Sequence, residues 1–474
     1  MRWRPIPINA PLYLNLDEKA LGRAAVALEN VFINEAGGHT ALGNLVEWAR
    51  LPQPGRVFLH NYRDELIAVT GNGRCYHVDR HGASTDRTGV PVAIDSRPTF
   101  AETDDDLLIA GGGAIIRLGA EKTDVLADAA PETTHVAYVR GYVLAIEKGS
   151  GRVVYSEPGL PRSWPVLNAF TAEDKPDPVV ALVVNQFNEI IIAGSRSVEL
   201  HQVGGSATRP FYRRSSLGYG VFAPGTMIEA GQAAWAANSR REFVRLGQVG
   251  AGVVGGPIGR VLEQAADWRD AWAAELLWAG QKFVILQIPH AATPYGGTGR
   301  TLGFNYAKNE WFELYAWDQV NSMPMRLPVW SAAQTAYGTF LGGDDGAIYR
   351  MDAENVSSVP QRSYYRSAPI SASSVISGAD EIYIDNVRLR LQRRTPAGIP
   401  VRPATMRMRA RVDDGPWHSW ITHSLDQHAP ARPTRWLEFG SLGTCSTVQF
   451  EYESFAGAPF DISGAEILAE SYDR

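Results

Sequence analysis

The chain has 474 residues, 45% of them hydrophobic and 20% charged, with 46 Gly and 29 Pro; this is globular composition, long enough for two or three domains and rich in turns. A net charge of −6 supplies no global basic field for nucleic acid, and two cysteines, Cys75 and Cys445, supply no disulfide framework. No run approaches the roughly 18 apolar residues of a membrane span, and the opening MRWRPIPINAPLYLNL has no apolar core of a signal peptide, so neither is expected.

Residues 1–56 read as an amino-terminal arm and irregular lead-in. Pro5, Pro7 and Pro11 keep the first stretch extended, and 21–32 (LGRAAVALENVF) has the spacing of a short helix. From 57 to 355 the chain repeats. Seven short apolar runs begin at residues 65, 106, 141, 189, 232, 282 and 337, each closing on a Gly or polar turn. A period of about 40–50 residues is that of a four-stranded propeller blade, so an all-β propeller of about seven blades is predicted. The first and last units are candidates for sharing between the chain ends. One helix is predicted between the fifth and sixth units, with Pro257 as its first residue and Ile258, Val261, Leu262, Ala265 and Trp268 at helical spacing.

The period stops near 355. Residues 356–474 read as a separate C-terminal β-sandwich, with two-residue alternation around 381–391, 405–412, 417–422, 447–453 and 465–470. The turn Asp413–Asp414–Gly415 is a hairpin signal.

Motifs with possible chemistry are weak. The 250–255 segment (GAGVVG) matches a dinucleotide pattern without a βαβ unit around it, and 296–303 (GGTGRTLG) lacks the lysine of a phosphate loop. Cys75, His77 and His81 cluster without an evident fourth metal ligand. Asp104, Asp105, Asp106, Asp344 and Asp345 stand where turns favour aspartate, and no spacing pairs an acid with a base. The 413–417 segment (DDGPW) resembles a sialidase aspartate box but occurs once. No catalytic residue, metal or cofactor is assigned, and an enzyme is not expected.

The sharpest electrostatic feature lies between Asn386 and Arg411: eight arginines and no acid. Arg388 and Arg390 alternate with leucines, and Arg407, Arg409 and Arg411 alternate with Met408 and Ala410, so each set occupies one face of a strand. If the two strands pair, one sheet face becomes an arginine stripe, which a neighbouring subunit's acids or a phosphate would neutralise. These five arginines are the candidate interface; the other reading is a solvated, screened face.

Several stretches resemble a known family: 189–204 (EIIIAGSRSVELHQVG), 256–261 (GPIGRV) followed by 278–289 (WAGQKFVILQIP), 301–314 (TLGFNYAKNEWFEL) and 460–468 (FDISGAEIL). Together with the order of arm, propeller and sandwich, they resemble the packaged-DNA stabilisation proteins of short-tailed phages, also called tail accessory or nozzle proteins. The arginine stripe, the lead-in and the 289–300 loop have no counterpart in that pattern. The resemblance implies a structural virion protein of the tail, assembled in the host cytoplasm. It implies a ring, usually of six copies, that extends the tail below portal and adaptor. Such a ring lines the exit channel for double-stranded DNA and docks a tail needle or plug and tailspikes or fibres. The alternative from composition, with 13 Trp and 18 Tyr, is a carbohydrate-binding or carbohydrate-active propeller.

Overall fold

A computed structural model gives the fold. It describes all residues except 7, 9–11, 15–24, 128, 173–174, 176, 207–208, 248–249, 353–354, 356, 394–404, 425–433, 456–459 and 473–474. Six four-stranded antiparallel sheets follow one another around a ring, within 57–86, 99–125, 133–170, 179–217, 228–253 and 329–352. The last of these takes its fourth strand, Asn44–Arg50, from the start of the chain, where it pairs with Ala347–Asp352. The two ends of the repeated region therefore share a blade.

The blade count is six rather than about seven. The run beginning at 282 lies in a meander of Trp272–Trp278, Gln281–Ala292, Thr298–Asn305 and Glu310–Asp318. Its first strand packs between Ile228–Ala230 and Val329–Thr335, so it has a place in the ring. The meander does not end as a free blade, because its last strand continues the pairing into an eleven-stranded sheet.

The sequence period is explained by one position in each unit. Glu65–Thr70, Leu107–Ala110, Tyr142–Glu147, Glu189–Gly194, Ala233–Ala237, Gln281–Ala292 and Gly338–Gly343 are all second strands. Such a strand is paired on both edges and covered on both faces. Leu107–Ala110, Glu189–Gly194 and Ala233–Ala237 are accordingly buried at every residue, which is why they read as continuous apolar runs instead of alternating ones. Two-residue turns with positive φ, such as Arg63 and Asp64 (53° and 63°), join first to second strands. Their backbone twist matches that of the flanking strands.

The chain ends do not behave as predicted from local pattern. Segment 21–32 does not form a helix in its described part: Ala25–Glu29 and Val31–Ile33 are strands. Ala25–Glu29 lies between Ser363–Ser367 and Glu310–Asp318, and the hydrogen bonds of those two edges outweigh its helical propensity. The helix beyond Pro257 is present as a 3₁₀ turn, Gly256–Ile258, running into Gly259–Gln264; Ile258, Val261, Leu262 and Ala265 are buried.

The C-terminal strands divide between two sheets, and neither sheet is theirs alone. The seven-stranded sheet combines Ile382–Arg393, Thr434–Glu438, Gly443–Cys445 and Phe460–Ser471 with Arg2–Ile6, Val31–Ile33 and His39–Ala41. The eleven-stranded sheet combines Ser363–Ser367, Ile370–Ser371, Thr405–Val412, Ile421–Ser424 and Thr447–Ser454 with Ala25–Glu29, Met323–Arg326 and the propeller meander. One apolar core runs through both, from Ile384, Val387 and Ile467 to Met406, Phe450 and Tyr452, and on to Phe283 and Trp311 of the meander. A sandwich built from 356–474 alone is thus not what the pairing gives.

Candidate functional site

The candidate interface arginines are not brought onto one face. Arg388 and Arg390 lie on Ile382–Arg393 in the seven-stranded sheet, whereas Arg407, Arg409 and Arg411 lie on Thr405–Val412 in the eleven-stranded sheet. The two strands do not pair with each other. Each finds its neighbours in late strands instead: Phe460–Ser471 for the first and Thr447–Ser454 for the second.

Those late strands carry the missing acids. Arg407 stands opposite Glu453 and Arg409 opposite Glu451, and each is ion-paired to its partner. The Arg411 Nε donates to Gln449 Oε1 at 2.5 Å. The Arg388 Nε donates to Glu466 Oε2 at 2.8 Å, and its guanidinium carbon lies 3.7 Å from the Trp3 ring centre and 4.0 Å from that of Trp436. Arg390 is exposed, opposite Trp436.

The register extends this pairing into a seam. Glu313, Glu29, Tyr364, Glu453 and Arg407 are successive partners across five strands of the eleven-stranded sheet. A second row holds Arg366, Glu451 and Arg409. Arg362 bridges the first row: it donates to Glu29 Oε2 at 2.6 Å and lies 3.4 Å from Glu453 Oε2. Arg300 donates to Glu313 at 3.0 Å, and Arg366 to Glu451 at 2.8 Å. All four carboxylate residues are at most 3% exposed, so each requires a charge-assisted partner. Aromatic rings cover the guanidinium groups, with Trp317 over Arg362 and Trp417 and Trp420 over Arg409. The seam borders a cavity of about 720 Å³.

Its electrostatics follow from burial and pairing. Burial raises the Glu29 pKa against the opposing pull of Arg362. Burial also opposes ionisation of Glu451, yet the hydrogen bond from Tyr364 and the charge of Arg366 hold its pKa below the usual value. Four acids and five arginines nearly cancel and form a cross-brace between propeller and C-terminal strands.

A larger cavity, about 1710 Å³, runs along the centre of the propeller. First strands of successive units line it. At the end where those strands start, Arg56 donates to Asp270 at 2.9 Å and stacks on Trp330. Arg97 lies beside it, its pKa pushed down to about 9 by burial and by the Arg56 charge. Farther along, His60 stacks on Phe100 and lies 3.0 Å from Glu102. These residues come from separate units and share no local motif, so sequence reading had no spacing by which to find them.

The remaining motifs fall in strands and turns. Gly250–Val253 is the outer strand of its blade, and 296–303 spans a hairpin turn and the strand that follows. Cys75 is buried, His77 lies 3.2 Å from Glu65, and Arg80 Nε donates to His81 at 3.2 Å. Asp344 pairs with Arg326 and Asp345 with Arg50. Among the described residues, no three His, Cys, Asp or Glu side chains are grouped to hold a metal ion, and no helix is long and apolar enough to cross a membrane.

The chain is thus an all-β propeller protein braced to its own chain ends by buried ion pairs. The family described as Phage_stabilise, "Bacteriophage P22 Gp10, beta-propeller", matches residues 39–356. The chain belongs to this family of phage structural proteins. No curated protein matches it significantly. Among solved structures, a streptogramin B lyase is similar at 11% identity over 65% of this chain and 96% of its own, with a TM-score of 0.44. Virginiamycin B lyase from Staphylococcus aureus is 9% identical over 74% and 98%, with a TM-score of 0.40. BamB from Moraxella catarrhalis is 11% identical over 63% and 94%, with a TM-score of 0.38. At these scores the three carry no functional argument.

Proposed function

We propose that this protein is a subunit of the phage tail nozzle, a ring of six copies that completes the head below portal and adaptor. In this reading the ring lines the exit path of double-stranded DNA. It holds a needle or plug at its distal end and receives tailspikes or fibres on its flank. The observation that carries the reading is the family match across residues 39–356, which spans the whole ring of blades. The braced architecture supports it. A collar that bears load during DNA passage benefits from chain ends locked into sheets, and here Asn44–Arg50 closes a blade while Arg2–Ile6 pairs with Phe460–Ser471. A net charge of −6 suits a wall that does not grip passing DNA.

The test is assembly. The purified chain is mixed with portal–adaptor complex, and mass is measured by size exclusion with light scattering. A complex holding six copies per portal is expected. A chain that stays monomeric beside the portal complex and binds glycans would overturn the reading.

A further inference from the structure

We propose that the propeller's central cavity is a binding site for a single carboxylate group, received by the guanidinium edge of Arg97. At the end of the cavity where the first strands begin, the other cations are engaged. Arg56 meets Asp270 at 2.9 Å, Arg269 meets Asp267 at 2.7 Å, and Lys148 meets Asp95 at 2.6 Å. Arg241 is engaged by the backbone carbonyls of Glu263 and Ala265. Arg97, also in the cavity lining, makes no hydrogen bond or ion pair with any described residue. It feels the attraction of Asp270, which is already paired with Arg56, and has no hydrogen-bond acceptor of its own among the described residues.

Its position is fixed by packing. The ring centres of Phe58 and Trp272 lie 5.3 and 5.0 Å from its guanidinium carbon. Pro98 follows it and is buried, which restrains the backbone. Its stem passes over Gly225, where a Cβ would come within 3.4 Å of Arg97 Cδ and 2.6 Å of the Ala271 carbonyl. The rings pack against the guanidinium, and its N–H groups are the binding element. Those groups match a carboxylate bidentately. A single guanidinium favours a monocarboxylate over a phosphate dianion, and Trp268 and Trp330 in the lining favour an apolar or aromatic body behind it. Two sources share this chemistry: a free small acid, or the acidic side chain or C-terminus of a protein segment entering the cavity. The inference needs only the single chain and is independent of the nozzle reading.

The full chain is titrated in chloride buffer with benzoate, benzamide, inorganic phosphate and a short peptide amidated at its end with one Glu, by calorimetry and tryptophan fluorescence. Saturable binding of benzoate or peptide at one site is expected, with benzamide and phosphate at least about tenfold weaker. Arg97→Met is expected to weaken carboxylate binding by about tenfold or more and Arg97→Lys by less. Tighter binding of benzoate points to a free acid as the source, and tighter binding of peptide to a protein segment. If Arg97→Met does not fold, Arg97→Gln takes its place in the same titration. Absence of saturable carboxylate binding, a preference for phosphate, or equal binding of benzamide or by the neutral variant would overturn the proposal.

Discussion

Arg407 lies directly opposite Glu453 in the register of the eleven-stranded sheet and is ion-paired to it, 46 residues away along the chain. Local sequence shows only the arginine half of this relationship. Glu453 is 3% exposed and also lies 3.4 Å from Arg362. The pair therefore belongs to a buried network in which removing one member leaves another charge without its counter-ion.

Replacing Arg407, Arg409 and Arg411 together with serine is thus expected to lower stability rather than act on docking alone. Glu451 and Glu453 retain Arg366 and Arg362, so the loss is expected at about 2–4 kcal/mol, below the sum of three broken pairs. Urea unfolding of the isolated chain checks this. An unchanged midpoint would show that the seam adds nothing to stability.

His39 makes the fold acid-sensitive. It lies 2.5 Å from the Ile8 carbonyl through Nε2 and 2.6 Å from the Tyr452 hydroxyl through Nδ1. The carbonyl can only accept, so Nε2 carries the proton, and the neutral ring accepts from Tyr452 at Nδ1. Burial pushes its pKa down to about 4. The unfolded chain therefore takes up the proton first. His39 contributes its stability above about pH 6.5, and that contribution is lost as pH falls towards 4, by up to about 3 kcal/mol. His39→Gln is expected to be less stable at pH 7.5 but flatter between pH 6.5 and 4. Denaturation midpoints across that range decide it; parallel curves would exclude His39 as the source.

Glu310 acts with the opposite sign. Burial raises its pKa to about 7 against the weaker pull of Lys308, and its Oε2 has no hydrogen-bond partner. The native state therefore holds a proton that the unfolded chain releases. The resulting stability is present below about pH 4.5 and is lost as pH rises through 7. Glu310→Gln is expected to be more stable than the parent at pH 8 by about 1–2 kcal/mol, allowing for partial exposure, with the difference vanishing near pH 4.5. Thermal melts at the two pH values test this. A gain of equal size at both would point to a cause other than ionisation.

Truncation separates the roles of the amino-terminal segments. Deleting residues 1–20 removes Arg2–Ile6 from the edge of Phe460–Ser471 and takes away buried Ile6, Ile8 and Leu12, but leaves Asn44–Arg50 in its blade. The propeller is expected to stay folded, while amide exchange rises along Phe460–Ser471. Deleting residues 1–50 removes the closing strand and is expected to expose Ala347–Asp352 to exchange. Global unfolding of the shorter deletion would show that the arm builds the propeller itself.

The strands legible in the sequence were those whose signal is local. The sequence marks Thr405–Val412 at its bounds because Met406, Met408 and Ala410 alternate with Arg407, Arg409 and Arg411. Each second strand was found because burial on both faces makes its apolar run continuous. Apolar spacing and a start signal agree on the helix after Pro257, but it ends at Gln264, before Ala265 and Trp268. The pattern of Ala25–Glu29 also fits a helix, and only the edges on both sides make it a strand.

Composition, period and alternation by themselves determined that this is an all-β chain of repeated four-strand units, and which face of Thr405–Val412 carries arginine. They are properties of neighbours a few residues apart, set by side-chain chemistry and the two-residue pleat. Tertiary structure alone decided that six units close as separate blades, that the run beginning at 282 joins a larger sheet, and that the arginines meet Glu451, Glu453 and Glu466 inside the same chain. It also placed Arg97 in the lining of the central cavity. Those outcomes depend on which sheet edges meet across tens to hundreds of residues. Loop closure at such separations varies only slowly with length, so local sequence leaves the partner undetermined and the packed core selects it.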